Sequence, residues 1–220
     1  GGNLRTDLAA RGLDAGPATV AWHPSQQHNI TLSRSSIQRI LNRCGLITPE
    51  PKKRPRSSYH RFQADQPNEC WQSDFTHYRL THPDGRPAAV VEIIAWLDDH
   101  SRYLTHISAH SSVSARIVLN TFIQAAHQHG YPASTLTDNG MVYTVRLAGN
   151  GRRGGRNALE THLREHGITQ KNGRPGHPTT QGKIERFWQT LKKRLHAQPT
   201  QPATLTEFEN LLTTFAQEYN

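Results

Sequence analysis

The chain has 220 residues, 26 of them Lys or Arg against 17 Asp or Glu, for a formal charge of +9, and 34% are hydrophobic. That length carries one domain of ordinary size plus a small appendage. No apolar run approaches the ~18 residues of a membrane helix, and no signal-peptide pattern opens the chain. Cys44 and Cys70 are too few for a disulfide framework or a Cys-rich zinc site, and they fit a reducing compartment. The positive excess calls for an anionic partner, of which nucleic acid is the commonest. It is unevenly spread: residues 1–70 and 141–220 carry +5 and +6, whereas 71–140 carry −2. Three runs, 51–61, 146–156 and 183–194, together hold +13 around a remainder of −4.

Residues 17–47 read as short helices. Pro17 suits a first helical turn, and Pro24 is expected to break that helix. Ser33 is the expected N-cap of a second helix running to Arg43, with Gly45 as its stop. Ile37, Ile40 and Leu41 form its buried stripe, while Arg34, Gln38, Arg39 and Arg43 stay outside. Around the polar turn at His28-Asn29 the pair reads as a partial helix-turn-helix over 1–47, whose second helix enters a major groove. A plain packing helix with solvated arginines is the competing reading. Residues 48–69, with Pro49, Pro51, Pro55 and Pro67, form an extended linker. Its Lys52, Lys53, Arg54 and Arg56 can lie along phosphates or remain a solvated tether.

From Trp71 onward the pattern changes. Residues 71–80, 88–97 and 103–109 are apolar, β-branched segments separated by turns at His82-Pro83-Asp84-Gly85 and Asp98-Asp99-His100-Ser101, which predicts an antiparallel meander. A helix follows, with Ile117, Val118, Phe122, Ile123 and Ala126 on its apolar face and Gly130 past its end. A strand at 134–137, a Gly/Arg-rich loop at 149–156, a helix over 157–165, a strand about 168–170 and helices over 180–196 and 205–219 complete the order βββαβ(α)βα.

Three carboxylates sit at functional edges of this layout. Asp74 lies inside a strand between Trp71 and Phe75, where a charge is costly unless paired or metal-bound. Asp138 ends a strand, a position at which ligand sites form in sheets flanked by helices. Glu185 lies in the first turns of the long helix. Three converging oxygen donors suit Mg²⁺ or Mn²⁺, and two such ions ~3.5–4 Å apart can activate an attacking oxygen and stabilise a leaving one in phosphodiester displacement. Each acid taken singly has a structural explanation; the constellation points to chemistry on a phosphate backbone.

Trp71-Gln72-Ser73-Asp74-Phe75-Thr76, Thr137-Asp138-Asn139-Gly140 and Gly176-His177-Pro178-Thr179-Thr180-Gln181-Gly182-Lys183-Ile184-Glu185-Arg186-Phe187 resemble the three catalytic signatures of retroviral-integrase-like DDE transposases of bacterial insertion sequences. The resemblance covers about residues 17–220. It implies an RNase H-like fold over 70–220, an α/β mixed sheet flanked by helices, with Asp74, Asp138 and Glu185 binding two Mg²⁺ or Mn²⁺ ions when DNA is bound. It further implies nicking of element ends, strand transfer by a 3′-hydroxyl into target DNA, a homodimer or larger assembly on paired ends, and a cytoplasmic, bacterial setting without a membrane. An RNase H-like nuclease that does not join, and a non-catalytic DNA-binding element remnant, are the competing readings. The family also has another N-terminal helical unit and a C-terminal Tyr-Asn-x-x-Arg-Pro-His segment; this chain stops at Tyr219-Asn220, so a truncated C-terminus is expected.

The 46 residues between Asp138 and Glu185 exceed the family's usual spacing by about the length of segment 146–156. That segment is read as a DNA-contacting loop through Arg152, Arg153 and Arg156, against a plain surface insertion. On the long helix, Lys183 and Arg186 are read as DNA contacts, and Lys192 resembles the family's donor-DNA lysine. Gln181, Glu185, Trp188 and Lys192 share one helix face, with packing as the alternative for Trp188. Asn139 and Gly140 are expected to shape the turn behind Asp138, since glycine allows positive φ; Thr76 and Gly182 are supporting positions within the signatures. Asp98, Asp99 and Arg102 are expected to form a hairpin turn with its own ion pair. No two of the 14 histidines are read as a pair on one helix face, so a zinc site is not expected, and His177 alone merits a test.

Overall fold

The structure, a computed structural model, describes residues 2–47, 63–145, 155–173 and 181–220. In chain order these form α1 (Gly2–Ala10), α2 (Pro17–His28), α3 (Arg34–Arg43), β1 (Cys70–Thr81), β2 (Pro87–Asp98), β3 (Leu104–His110), α4 (Ala115–His129), β4 (Ser134–Thr137), α5 (Ala158–Glu165), β5 (Thr169–Asn172), α6 (Gly182–His196) and α7 (Leu205–Tyr219). The chain divides into two units. One takes the described residues up to 47 with Gln189–Pro199, and the other runs to Trp188 and resumes at Thr200–Asn220. None of the described helices is long and apolar enough to cross a membrane.

In the larger unit, β2 is buried without alternation from Ile93 to Asp98, as expected of a strand covered on both faces. The sheet order is β3-β2-β1-β4-β5. β1–β2 and β2–β3 are antiparallel, while β1–β4 and β4–β5 are parallel, so β1 is the central strand. Side chains alternate across it. On one face, Trp71 joins Ile94, Trp96, Phe122, Tyr143, Leu159 and Leu163 in a core built with α4 and α5. There the Trp96 indole N–H finds its partner in the buried Thr121 hydroxyl at 3.0 Å. On the other face, Tyr78 stacks on Phe208 of α7 at 4.7 Å, and Phe187 of α6 meets Phe215 and Tyr219. Local chemistry sets the helix ends: Ser114 caps α4, and capping boxes Asn157/Glu160 and Thr204/Glu207 open α5 and α7.

The smaller unit gathers Leu8, Val20, Ile37 and Leu41 into its own core. Ser33 caps α3 as expected, accepting from Ser36 N at 3.1 Å. Two expectations fail here. Pro24 sits inside α2, which gives up one backbone bond and continues to His28; the N–H of Asn29, at φ 53°, then returns to the Pro24 carbonyl. The buried stripe of α3 is narrower than expected, because Ile40 is 39% exposed and only Ile37 and Leu41 are enclosed. Gly12, at φ +69°, is required by close approach: a Cβ there would lie 2.5 Å from the Arg194 Cα. Arg194 Nη1 also donates to the Arg11 carbonyl at 2.9 Å.

Candidate active site

Parallel pairing sets Gln72 beside Leu136. Asp74 lies two residues beyond Gln72 on the same face of β1, and Asp138 directly follows Thr137, the last residue of β4. Asp138 is held by its own turn. Its Oδ1 accepts the Gly140 N–H at 2.9 Å, its carbonyl accepts Asn172 Nδ2 at 3.1 Å, and Asn139 Nδ2 donates to the Gly173 carbonyl at 2.8 Å. Gly140 does not have the expected positive φ. Its requirement is space, since a Cβ would sit 2.9 Å from Asp138 Oδ1.

Glu185 is exposed in the first turn of α6, where the helix dipole favours a negative charge. Three residues on, Trp188 is only 6% exposed and donates its indole N–H to Asp74 Oδ2 at 3.0 Å. One helix therefore carries both the third acid and the group that grips the first. Burial pushes the Asp74 carboxyl above its usual range; hydrogen bonds from the Phe75 backbone and Trp188 oppose this, and the charges of Asp138 and Glu185 add to it. Tyr143 is buried on the opposite face of β1, bonded to Ser73 Oγ at 3.0 Å. Burial drives its phenol upward, with a further push from Asp74 and Asp138.

Mutual repulsion among hard oxygen donors, felt by Asp74, is what a divalent cation relieves, so the donor set fits Mg²⁺ or Mn²⁺. Among the described residues, no three His, Cys, Asp or Glu side chains gather tightly enough to grip one ion. Asp138 and Glu185 thus both lie within electrostatic reach of Asp74, without the three closing on one point.

Lys183 is a correction. Rather than facing DNA it is 8% exposed, bonded through Nζ to the Asp99 carbonyl at 2.8 Å and paired with the Asp99 carboxylate. Burial pushes its ammonium down, and Asp99 holds it up. The turn after β2 accordingly sends its acid to α6: Asp99 pairs with Lys183, while Asp98 Oδ1 caps Ser101 N at 2.7 Å. Arg34, Arg39, Arg43, Arg156, Arg186 and Lys192 are exposed, Gln38 is half-buried, and Thr76 is half-buried on β1. Gly182 opens α6, and among the described residues no tertiary neighbour lies within 4 Å of where a Cβ would be. Lys52, Lys53, Arg54, Arg56, Arg152, Arg153 and His177 lie outside the described residues. A histidine pair does exist: His162 and His166, four apart, have ring centroids 4.1 Å apart. Sequence reasoning does not assign Tyr143 to the site, and it sets Trp188 on the Glu185 face of the helix without its bond to Asp74. The available signal for Trp188 is its helical spacing from Glu185, because a buried indole N–H needs a partner.

A profile of the integrase core domain family matches residues 64–178, and a second of the same description matches 166–220. The Gag-Pro-Pol polyprotein of sheep pulmonary adenomatosis virus is 26% identical over 192 residues, which is 83% of this chain and 10% of the polyprotein. The transposase for insertion sequence element IS904 of Lactococcus lactis subsp. lactis is 28% identical over 144 residues, 64% of this chain and 50% of that protein. The chain thus spans half or less of these relatives. Among solved structures, the simian T-cell lymphotropic virus intasome in complex with the PP2A regulatory subunit B56 gamma matches with a TM-score of 0.53 at 21% identity, over 90% of this chain and 64% of that one. The mixed five-stranded sheet flanked by helices is the RNase H-like fold of integrase catalytic cores. With the first profile alone covering more than half of its residues, the chain belongs to the integrase core domain family.

Proposed function

We propose that this chain is the catalytic core of an insertion-sequence transposase that cuts a DNA strand at the element's ends and joins the resulting 3′-hydroxyl to target DNA. The observation that supports this reading is the bond from Trp188 on the Glu185-bearing helix to Asp74, whose carboxyl also lies within electrostatic reach of Asp138 just past the end of the adjacent parallel strand β4. Two Mg²⁺ or Mn²⁺ ions held by Asp74, Asp138 and Glu185 would supply stabilisation of the attacking and leaving oxygens. Trp188 holds Asp74 through its Oδ2. The Gly140 N–H orients the Asp138 carboxylate. Arg186 and Lys192 on α6, and Arg34, Gln38, Arg39 and Arg43 on α3 as the recognition helix, hold DNA chiefly through its phosphates. Lys52, Lys53, Arg54, Arg56, Arg152, Arg153 and Arg156 extend that contact. Two or more copies act on paired ends.

The test is cleavage and joining of duplexes bearing the element's terminal repeats in Mg²⁺, with Glu185→Gln as the comparison. Wild type is expected to give nicked and joined products that the variant lacks. Equal product from both sinks the assignment, and nicking without joining identifies a nuclease.

A further inference from the structure

We propose that Lys183 is a positioning residue: with Asp99 and Gln72 it forms a buried tether that fixes the first turn of α6, and with it Glu185, to the strand carrying Asp74. This rests on the reading of Asp74, Asp138 and Glu185 as metal ligands.

Three elements meet in the tether. Asp99, just past the end of β2, is fully buried, and both carboxylate oxygens are bonded: Oδ1 accepts Gln72 Nε2 at 2.6 Å, while Oδ2 accepts Ala64 N at 2.6 Å and Lys183 Nζ. Lys183 spends a second donor on the Asp99 carbonyl at 2.8 Å. Gln72, also fully buried, turns its Oε1 to the Ile184 N–H at 3.2 Å, one of the first-turn donors that a helix cannot satisfy from within itself. Lys183 and Ile184 immediately precede Glu185. Gln72 lies two residues before Asp74 on the same strand, and therefore on the same face.

The choice of chemistry is informative. A buried ion pair is no more stabilising than a well-packed apolar replacement, and what it adds is direction. An apolar contact tolerates sliding and rotation, whereas these bonds are satisfied at one screw position of α6. Slipping the helix by one residue turns Glu185 by about 100° away from Asp74. Spent on Asp99, the Lys183 ammonium has no role on a phosphate, although its neighbours in sequence belong to a basic run.

The experiment measures Mn²⁺ affinity without DNA, from the electron paramagnetic resonance signal of free Mn²⁺, alongside DNA affinity across salt and circular dichroism. Lys183→Met, read where its spectrum matches wild type, is expected to weaken Mn²⁺ binding about ten- to a hundredfold, as losing a group that orients a ligand does, with DNA affinity and salt slope unchanged. Lys183→Met/Asp99→Asn removes both charges, so no charge is left buried without its partner, and it keeps an amide oxygen as acceptor for a buried N–H; it is expected to keep the weakened Mn²⁺ affinity. Lys183→Arg, which retains the charge, is expected to recover part of it. Wild-type Mn²⁺ affinity in a folded Lys183→Met or double variant overturns the tether. A salt slope lower by about 1 with weaker DNA binding returns Lys183 to a phosphate. Glu185→Gln separates the two failures: if it binds Mn²⁺ like wild type, the ligand assignment falls; if it binds weakly while Lys183→Met does not, only the tether falls.

Discussion

On one face of β1, Trp71 joins Ile94, Trp96, Phe122 and Tyr143 in an apolar core. On the other, Gln72 and Asp74 meet Ile184 and Trp188 of α6 through hydrogen bonds. The first face draws its free energy from area removed from water, which is non-directional. The second spends free energy, because burial beside two like charges keeps the Asp74 carboxyl above its usual range. From Trp71 to Phe75 the strand therefore carries stability on its odd-numbered residues and chemistry on its even-numbered ones. The two should respond to mutation in opposite ways.

Phe122→Ala, on the stabilising face, is expected to have the largest effect on the fold. Phe122 is fully buried, and removing such a ring costs about 3–5 kcal/mol. Denaturant unfolding should show this, while Mn²⁺ affinity of the remaining folded protein stays unchanged; a matching loss of metal affinity would join the two faces into one unit. Asp74→Asn should do the reverse, lowering strand cleavage roughly 10²–10³-fold, the range for losing one group that stabilises developing charge, yet raising the thermal midpoint at neutral pH. The sign follows from the direction of the shift. A carboxyl raised above 3.8 in the folded state favours the native protein less as pH climbs through its folded value. The variant's advantage therefore appears above that value and disappears below the ordinary carboxylate range. A lower midpoint for Asp74→Asn at pH 7 would make Asp74 a structural acid.

The same contrast explains how much is legible in sequence. Elements whose signals are local are readable: Ser33 caps α3 from three residues away, and α7 runs over the expected 205–219. Asp74 and Asp138 stand out in the sequence because an aspartate in a strand and one before Asn-Gly interrupt an apolar pattern. α1 escapes such reading because Leu8 is buried in a cluster with Val20, Ile37 and Leu41 from other helices. Lys183 reads as a DNA contact because its partner Asp99 lies 84 residues away, and Trp188 reaches Asp74 across 114. Side-chain periodicity reports which residues are apolar. A polar group's burial is decided by a partner that only the tertiary fold supplies.

The smallest effect separates two glycines of the matched signatures. At Gly140 an added Cβ would lie 2.9 Å from Asp138 Oδ1, the same oxygen that accepts the Gly140 N–H. Its backbone is not in the positive-φ region, so alanine meets no strain in φ, and the carboxylate is what must move. Gly140→Ala is therefore expected to cost only about 1 kcal/mol of stability, the low end for overpacking. Cleavage should fall about tenfold, corresponding to roughly 1.4 kcal/mol at the transition state, through a misdirected Asp138. At Gly182 no tertiary neighbour among the described residues lies within 4 Å of the added atom, and alanine in a helix is favoured over glycine by about 0.5–1 kcal/mol. Gly182→Ala should accordingly stabilise slightly and leave cleavage unchanged. Unfolding and single-turnover cleavage of the two variants side by side check both halves. If Gly182→Ala slowed cleavage while Gly140→Ala did not, the turn behind Asp138 would lose its place in the chemistry, and the start of α6 would take it.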